Sequence, residues 1–497
     1  MFRRKPSKPR KEIIERAKAR ATLERGYDSK MNAVLITTGV IMAAKAATGS
    51  VIKASSCVVL NNPFALGVLI VATSAAKSGS AAKSSPGTTV EINGRAYAAP
   101  RRPTVVMVVD GFDPAYLQHG FANGTLPTMA SFKEHGFAGV ADCSMPSTTN
   151  TNNTSIVTGV PPAVHGINGN YYLDPDTGEE IMITDASRLR CGTILGELSR
   201  IGVKTAVVTA KDKLLKILAY KMSGISFSSE YAHSANLANN GVENVEKLVG
   251  RPQPDQYSAD LSLFVFDAGV KLLSSVKPDL MYLSTSDYVQ HKHAPGEPEA
   301  DAYHQAVDTS IAKLIALGAT VAVTADHGMN DKSAADGKAN VIYLEDELNS
   351  RFGAGTVRVI CPIADPFVRH HGALGSFVRV HLRKPGDISA MMAFTRTLSG
   401  IELVLDKQHV CEQFDLPVDR EGDFAAFSDR GTVVGARRED HDLSQLAGHR
   451  LRSHGGLGEQ KVPFLLSRPL NAAYRKRAKD RPLHNYDIFD FALNGVE

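Results

Sequence analysis

The chain has 497 residues, 43% of them hydrophobic and 22% charged, which allows a large buried core over two or three units and argues against a disordered chain or a membrane bundle. Its five cysteines are scattered and form no CxxC pair, which argues against a disulfide framework or a thiolate zinc site and points to a reducing, cytoplasmic compartment. The formal charge of +4 belongs to the start of the chain: residues 1–30 hold eleven Lys or Arg against four Asp or Glu, leaving the remainder near −3, so the body offers no general case for nucleic-acid binding.

Residues 1–88 read as an N-terminal extension of unknown role. After the basic arm, no acidic residue occurs between Asp28 and Glu91. Two apolar stretches there, "MNAVLITTGVIMAA" and "NPFALGVLIVATSAA", are each shorter than the about 20 residues that span a bilayer, and Lys45 and Lys53 interrupt the region. A secretory signal would carry its apolar run nearer the start. The Ser/Ala-rich composition resembles an organellar transit segment, although Glu12, Glu15 and Glu24 run against that; membrane association and removal from the mature chain both stay open.

From residue 89 a regular pattern begins. "TVVMVVDG" (104–111), "KTAVVTAKD" (204–212), "DLMYLSTSD" (279–287) and "ATVAVTADHG" (319–328) are apolar, β-rich runs, each ending in a polar or charged residue. Helix-period stretches lie between them, at 192–201, 259–276 and 299–317. Strands that alternate with helices predict an α/β fold with a largely parallel sheet covered on both faces. In such sheets the carboxyl ends of the strands converge on one crevice. Asp110, Lys211, Asp287 and Asp326 each stand where a buried run stops, so the pattern predicts that they meet.

Any one of these residues alone reads as a helix cap or turn residue. Together with their neighbours they read as metal ligands. Asp287 and His291 are four apart, which places both on one face of a helical turn, and carboxylate plus imidazole suits zinc. Asp326 and His327 are adjacent, and a sharp turn aims both at one ion, with Gly328 supplying backbone freedom. His454, in "RSHGGLGEQKVPFLL", precedes two glycines and another apolar run. Without cysteine, this set implies oxygen and nitrogen ligands for one or two ions. The stretch "CSMPSTTNTNNTSIVTG" (143–159) is dense in hydroxyls and Asn, which alone suggests loops and caps. Lying between a strand-like and a helical segment, it also offers a hydroxyl at a helix start, where backbone N–H groups stabilise a phosphoryl oxyanion.

"VVDG", "MPSTTNTNNTSIVTGVPPAVHGINGNYY", "TAKDKL", "TSDYVQHKHAPGEPEAD", "TADHGMN" and "LRSHGGLGEQKVPFL" occur in the order and spacing of the alkaline phosphatase superfamily, and from residue 89 to about 490 the chain most resembles its phosphonoacetate hydrolase branch. That resemblance implies an alkaline-phosphatase-like core with a smaller α/β cap inserted, and two Zn²⁺ ions. Asp287, His291 and His454 would hold one ion; Asp110, Asp326, His327 and the Thr149 hydroxyl would hold the other. Thr149 would be the nucleophile, Asn170 would donate to a phosphonate oxygen, and Lys211 and Lys213 would meet the substrate carboxylate. The residue before the nucleophile is often aromatic in this family; here it is Thr148, and the preference for Thr149 rests on its "TN" context.

The implied reaction is hydrolysis of the carbon–phosphorus bond of phosphonoacetate through a phosphothreonine. A threonine hydroxyl needs a metal ion to become a nucleophile near neutral pH, and the departing carbanion needs cations at its carboxylate. The expected layout is an extension at 1–88, a metal-binding core at 89–330 plus 450–497, and a cap at 331–449, a length too great for a loop. Two other readings compete: a phosphodiesterase or nucleotide pyrophosphatase on the same metals, and a non-catalytic metal-binding or membrane-tethered protein. The complete ligand set disfavours the last. The partner expected is a small phosphonate; the sequence is silent on oligomeric state.

Overall fold

Apolar, β-branched runs become strands. Thr104–Val108 (β1), Phe137–Asp142 (β2), Thr205–Thr209 (β3), Gly224–Ser228 (β4), Leu280–Ser284 (β5) and Thr320–Thr324 (β6) come first. Val357–Ile360 (β7), Phe377–Leu382 (β8), Ile401–Asp406 (β9) and Phe424–Ser428 (β10) form a second group, and Lys461–Leu466 (β11) comes last. The computed structural model describes residues 87–365, 371–446 and 449–497. The expected N-terminal extension therefore lies outside the described residues, apart from Gly87 and Thr88. Among the described residues no helix is long and apolar enough to cross a membrane, and Cys143, Cys191, Cys361 and Cys411 are free thiols.

Every residue of β1, β3, β5 and β6 is buried. Successive side chains point to opposite faces of a strand, so continuous burial means that both faces of the sheet are covered. The order is β2-β11-β6-β1-β5-β3-β4 in one seven-stranded sheet. The pairs from β6 through β4 are parallel, and β11 runs antiparallel to both its neighbours. The register decides where the chemistry lies. Thr324 pairs with Val108, Val108 with Ser284, and Ser284 with Thr209, so four strands end level and the residues after them leave the sheet at one edge.

Helices cover the faces: Thr149–Thr158 (α1), Asp212–Leu218 (α2), Ala259–Ser275 (α3), Tyr288–Lys292 (α4) and Pro298–Ala316 (α5). In α3 the buried residues Leu261, Phe264, Val265, Ala268 and Leu272 recur three or four apart, the stripe an amphipathic helix lays on a sheet. The helical stretches expected at 192–201, 259–276 and 299–317 are observed as Ile194–Arg200, Ala259–Ser275 and Pro298–Ala316.

The second group of strands forms a four-stranded antiparallel sheet, ordered β7-β8-β10-β9. Period-2 alternation splits its side chains. Val378, Val380, Phe424 and Ala426 pack with Leu344, Leu348, Met391 and Met392, whereas Phe377, Ala425 and Phe427 pack with Val410, Cys411 and Met145. Met145 lies four residues before Thr149, so this sheet rests on the segment that leads to α1. The chain passes to and from the sheet through neighbouring strands, with Asn330 paired to Ser453 and Asp331 to Arg452.

Arg379, fully buried, binds Glu421 through two nitrogens, and its Nη2 also donates to the Asn168 carbonyl at 2.8 Å. Glu421 in turn accepts from Asn168 Nδ2 at 3.0 Å. This pair ties the second sheet to the turn that carries Asn170. Removing one partner leaves an uncompensated buried charge, so Glu421→Gln is expected to lower stability by about 3 kcal/mol, read as a lower urea midpoint at unchanged slope. An unchanged midpoint would argue against the link.

Candidate metal centre

The level strand ends deliver four segments to one place. Asp110 follows β1 by two residues, its N–H donates to Thr285 Oγ1 at 2.9 Å, and the chain then turns at Gly111 with φ +71, a conformation side chains rarely adopt. A Cβ there would also lie 3.3 Å from the Asp287 Cβ. Asp287 precedes α4, and the one turn of helix brings His291 Nε2 to 2.9 Å from Asp287 Oδ2, as the four-residue spacing predicts. Asp326 and His327 follow β6. Gly328, expected to supply backbone freedom, has a φ outside the left-handed region, and what its lack of a side chain permits is close approach, since a Cβ would sit 2.6 Å from Asp113 Oδ2. His454 directly follows the short strand Arg452–Ser453.

The six side chains are all buried. Donor atoms of Asp110, Asp326 and His327 lie within 4.8 Å of one another, as do those of Asp287, His327 and His454. His327 Nε2 is 3.1 Å from Asp110 Oδ1 and 3.8 Å from Asp326 Oδ2, and His454 Nε2 is 3.7 Å from Asp287 Oδ2. The His327 and His454 rings stack at 3.5 Å, so His327 borders both expected groups and the six form one continuous cluster. Thr149, the first residue of α1, has its Oγ1 3.5 Å from His327 Nε2. Thr148 Oγ1 instead bonds Thr151 Oγ1 at 3.0 Å. The two hydroxyls that the sequence leaves open thus face different neighbours.

The donor chemistry fits metal ions. His291 Nδ1 lies 2.7 Å from the Arg452 carbonyl, His327 Nδ1 2.9 Å from the Gly328 carbonyl and His454 Nδ1 2.7 Å from the Ser147 carbonyl. A carbonyl oxygen only accepts, so each Nδ1 carries the proton and each Nε2 is turned inward, the arrangement that orients metal-ligating imidazoles. The carboxylates need cations as well. Burial raises the Asp326 carboxyl far above the carboxylate range, and the nearby Asp110 raises it further. Burial opposes an imidazolium at His327, but Asp326 and Asp110 outweigh it and lift its basicity. A proton is thus drawn to the position where a divalent ion would answer the same charge.

Lys211 and Lys213 flank the start of α2. Lys211 Nζ donates to Asp110 Oδ2 at 3.1 Å and to Asp287 Oδ1 at 2.8 Å. Its burial opposes the charge, yet those two carboxylates hold it well above the ordinary lysine value. Lys213 Nζ donates to Asp365 Oδ2 at 2.6 Å; burial and repulsion from Lys211 leave it below the ordinary value despite that partner. Asn170 Oδ1 accepts from the Asn150 N–H at 3.0 Å, which sets it one residue from Thr149.

Residues 104–456 match the family described as type I phosphodiesterase / nucleotide pyrophosphatase. The solved phosphonoacetate hydrolase of Sinorhizobium meliloti 1021 in complex with phosphonoformate is 45% identical, with a TM-score of 0.78 over 83% of this chain and 100% of that one. Its complex with phosphonoacetate aligns at 44% identity, with the same TM-score and coverage. The chain belongs to this family, within its phosphonoacetate hydrolase group. That group lies in the alkaline phosphatase superfamily, whose members depend on metal ions. A phosphonoacetate hydrolase of Penicillium oxalicum is 53% identical over 47 residues, which are 9% of this chain and 65% of that relative. Murine ectonucleotide pyrophosphatase / phosphodiesterase 5, 18% identical with a TM-score of 0.52 over 78% of this chain and 94% of that one, shares the fold.

Two supporting residues escape the sequence reading of this phosphonoacetate hydrolase relative. Asp365 gives no local signal, because it follows β7 in a loop. Asn153 does: it lies four residues after Thr149 on the same face of α1. Its Nδ2 donates to Asp326 Oδ2 at 3.0 Å, and its Oδ1 accepts from the Tyr282 and Ser284 hydroxyls at 2.8 and 2.9 Å. Asn153→Ala removes the group that orients Asp326, and metal affinity is expected to fall about 10- to 100-fold, measured by chelator competition. Affinity within twofold of the parent would rule out this orienting role.

Proposed function

We propose that this chain hydrolyses phosphonoacetate to acetate and phosphate through a phosphothreonine at Thr149. The observation that carries the reading is the pair of buried lysines, Lys211 and Lys213, beside a buried Asp/His cluster and a helix-start hydroxyl. Two like charges buried at one strand end suit an anionic group that is small and compact, and the phosphonoacetate complex of the Sinorhizobium relative supports the same choice.

Asp110, Asp326, His327 and Thr149 would hold one zinc ion and Asp287, His291 and His454 the other, and ions bound there would supply the Lewis acidity that a hydroxyl nucleophile needs. Thr149 Oγ1 attacks phosphorus as the carbon–phosphorus bond breaks, and the bonding pair stays on the methylene carbon. Charge delocalises into the carboxylate as an enolate, where Lys211 and Lys213 stabilise it electrostatically. The Thr149 hydroxyl proton passes to water as the bond forms, and a proton returned from water to the carbon gives acetate. Asn170 orients the phosphonyl oxygens from beside the start of α1. Water then cleaves the phosphorus–oxygen bond of the phosphothreonine, releasing phosphate and restoring the hydroxyl.

The reading predicts phosphate release from phosphonoacetate that exceeds cleavage of a nitrophenyl phosphodiester, is abolished by chelation and returns with Zn²⁺. A preference for the diester would favour the phosphodiesterase alternative. Activity that survives in a verified metal-free sample would exclude the metal mechanism.

The nucleophile is tested separately. Thr149→Ala is expected to keep its zinc while kcat falls by orders of magnitude, and Thr148→Ala to have a modest effect. Mass spectrometry of an acid-quenched reaction should find phosphate on Thr149. Phosphate on Thr148 would reassign the role.

A further inference from the structure

The segment that follows β7 descends from the second sheet to the metal-binding core and meets the turn at Gly169 and Asn170. The Asn170 N–H donates to the Pro362 carbonyl at 2.8 Å, and Asn170 Nδ2 donates to the Ile363 carbonyl at 3.1 Å. The approach is tight: a Cβ on Gly169 would lie 2.8 Å from Pro362 Cβ. Two residues on, Asp365 is 6% exposed. One atom of it, Oδ2, accepts from Lys213 Nζ at 2.6 Å and lies 3.5 Å from Asn170 Nδ2.

That shared atom joins two groups from distant parts of the chain. We propose that Asp365 is a positioning residue that fixes the Lys213 ammonium against the Asn170 amide and so sets the separation between the carboxylate and phosphonate ends of the bound substrate. The proposal rests on reading Lys213 and Asn170 as substrate-binding groups. It moves part of the specificity from the core to the inserted segment, which contributes none of the proposed metal ligands.

The charge of Asp365 makes the role separable from simple packing. Burial raises its carboxyl, but Lys213 and Lys211 outweigh that and hold it below the usual carboxylate range, so it is an anion beside a site for an anion. An anion there repels the substrate in the ground state. It also aims an ammonium at the carboxylate on which charge grows as the carbon–phosphorus bond breaks. A residue of this kind weakens ground-state binding and favours the transition state. Its neutral isostere should therefore bind substrate at least as well and turn it over more slowly.

The experiment measures kcat and KM for phosphonoacetate on the wild-type chain, Asp365→Asn and Asp365→Glu, with zinc content and thermal midpoint on the same samples. The expected result for Asp365→Asn is a kcat lower by about tenfold or more with KM unchanged or lower, at wild-type zinc content and with a lower thermal midpoint, because Lys213 loses its buried partner. Asp365→Glu should recover part of the kcat. A kcat within twofold of wild type, a raised KM or a loss of zinc in Asp365→Asn would overturn the proposal. A wild-type chain that leaves phosphonoacetate intact yet cleaves a nitrophenyl phosphodiester would overturn the functional reading itself. That result differs from an active wild type whose Asp365→Asn variant is unchanged.

Discussion

Three carboxylates, Asp110, Asp287 and Asp326, are buried together in this fold, and a low-dielectric interior cannot hold such a set without positive charge close by. Lys211 supplies one cation, bridging Asp110 and Asp287. His327 is drawn toward carrying a second, because Asp326 and Asp110 raise its basicity against the cost of burial. Nδ1 of each of the three imidazoles is committed to a backbone carbonyl, so Nε2 is the atom each presents to the carboxylates. The surroundings are organised around this requirement for charge. Asn153 steadies Asp326, and the Thr149 hydroxyl approaches from the start of α1.

The sheet makes the cluster geometrically available. Parallel strands in register end at one level, and the residues just beyond them have no further ladder hydrogen bonds to make. Their side chains are therefore free to turn toward a common point. Asp110, Lys211, Asp287 and Asp326 are separated by long crossover connections, yet β1, β3, β5 and β6 stop at paired residues. The antiparallel strand β11 follows directly from the segment that carries His454, which accounts for one ligand arriving from near the end of the chain.

The second sheet adds a different kind of constraint. Its lower face packs on Met145, close to the proposed nucleophile, the Arg379–Glu421 pair clamps the Asn168 turn, and Asp365 reaches Lys213. These contacts link the second sheet to the segment before Thr149, to the turn that carries Asn170 and to Lys213. The fold itself is shared with murine ectonucleotide pyrophosphatase / phosphodiesterase 5 at 18% identity.

The sequence alone determined the local features. Continuous apolar runs foretold the doubly covered strands, and the spacing of Asp287 and His291 foretold their shared helical face, because the periods of strand and helix are properties of the backbone itself. The recurrence of charged residues at run ends pointed to the crevice for the same reason. Other features depended on which segments became neighbours. Thr148 and Thr149 are adjacent in sequence, and only the packing of α1 turned one hydroxyl to Thr151 and the other to His327. Gly328 suggested backbone freedom at the turn, but the constraint is the carboxylate of Asp113, which leaves no room for a Cβ there. Asp365 meets Lys213 across 152 positions and Asn153 meets Asp326 across 173. Contacts of that range are absent from any local period, because the tertiary fold brings their segments together.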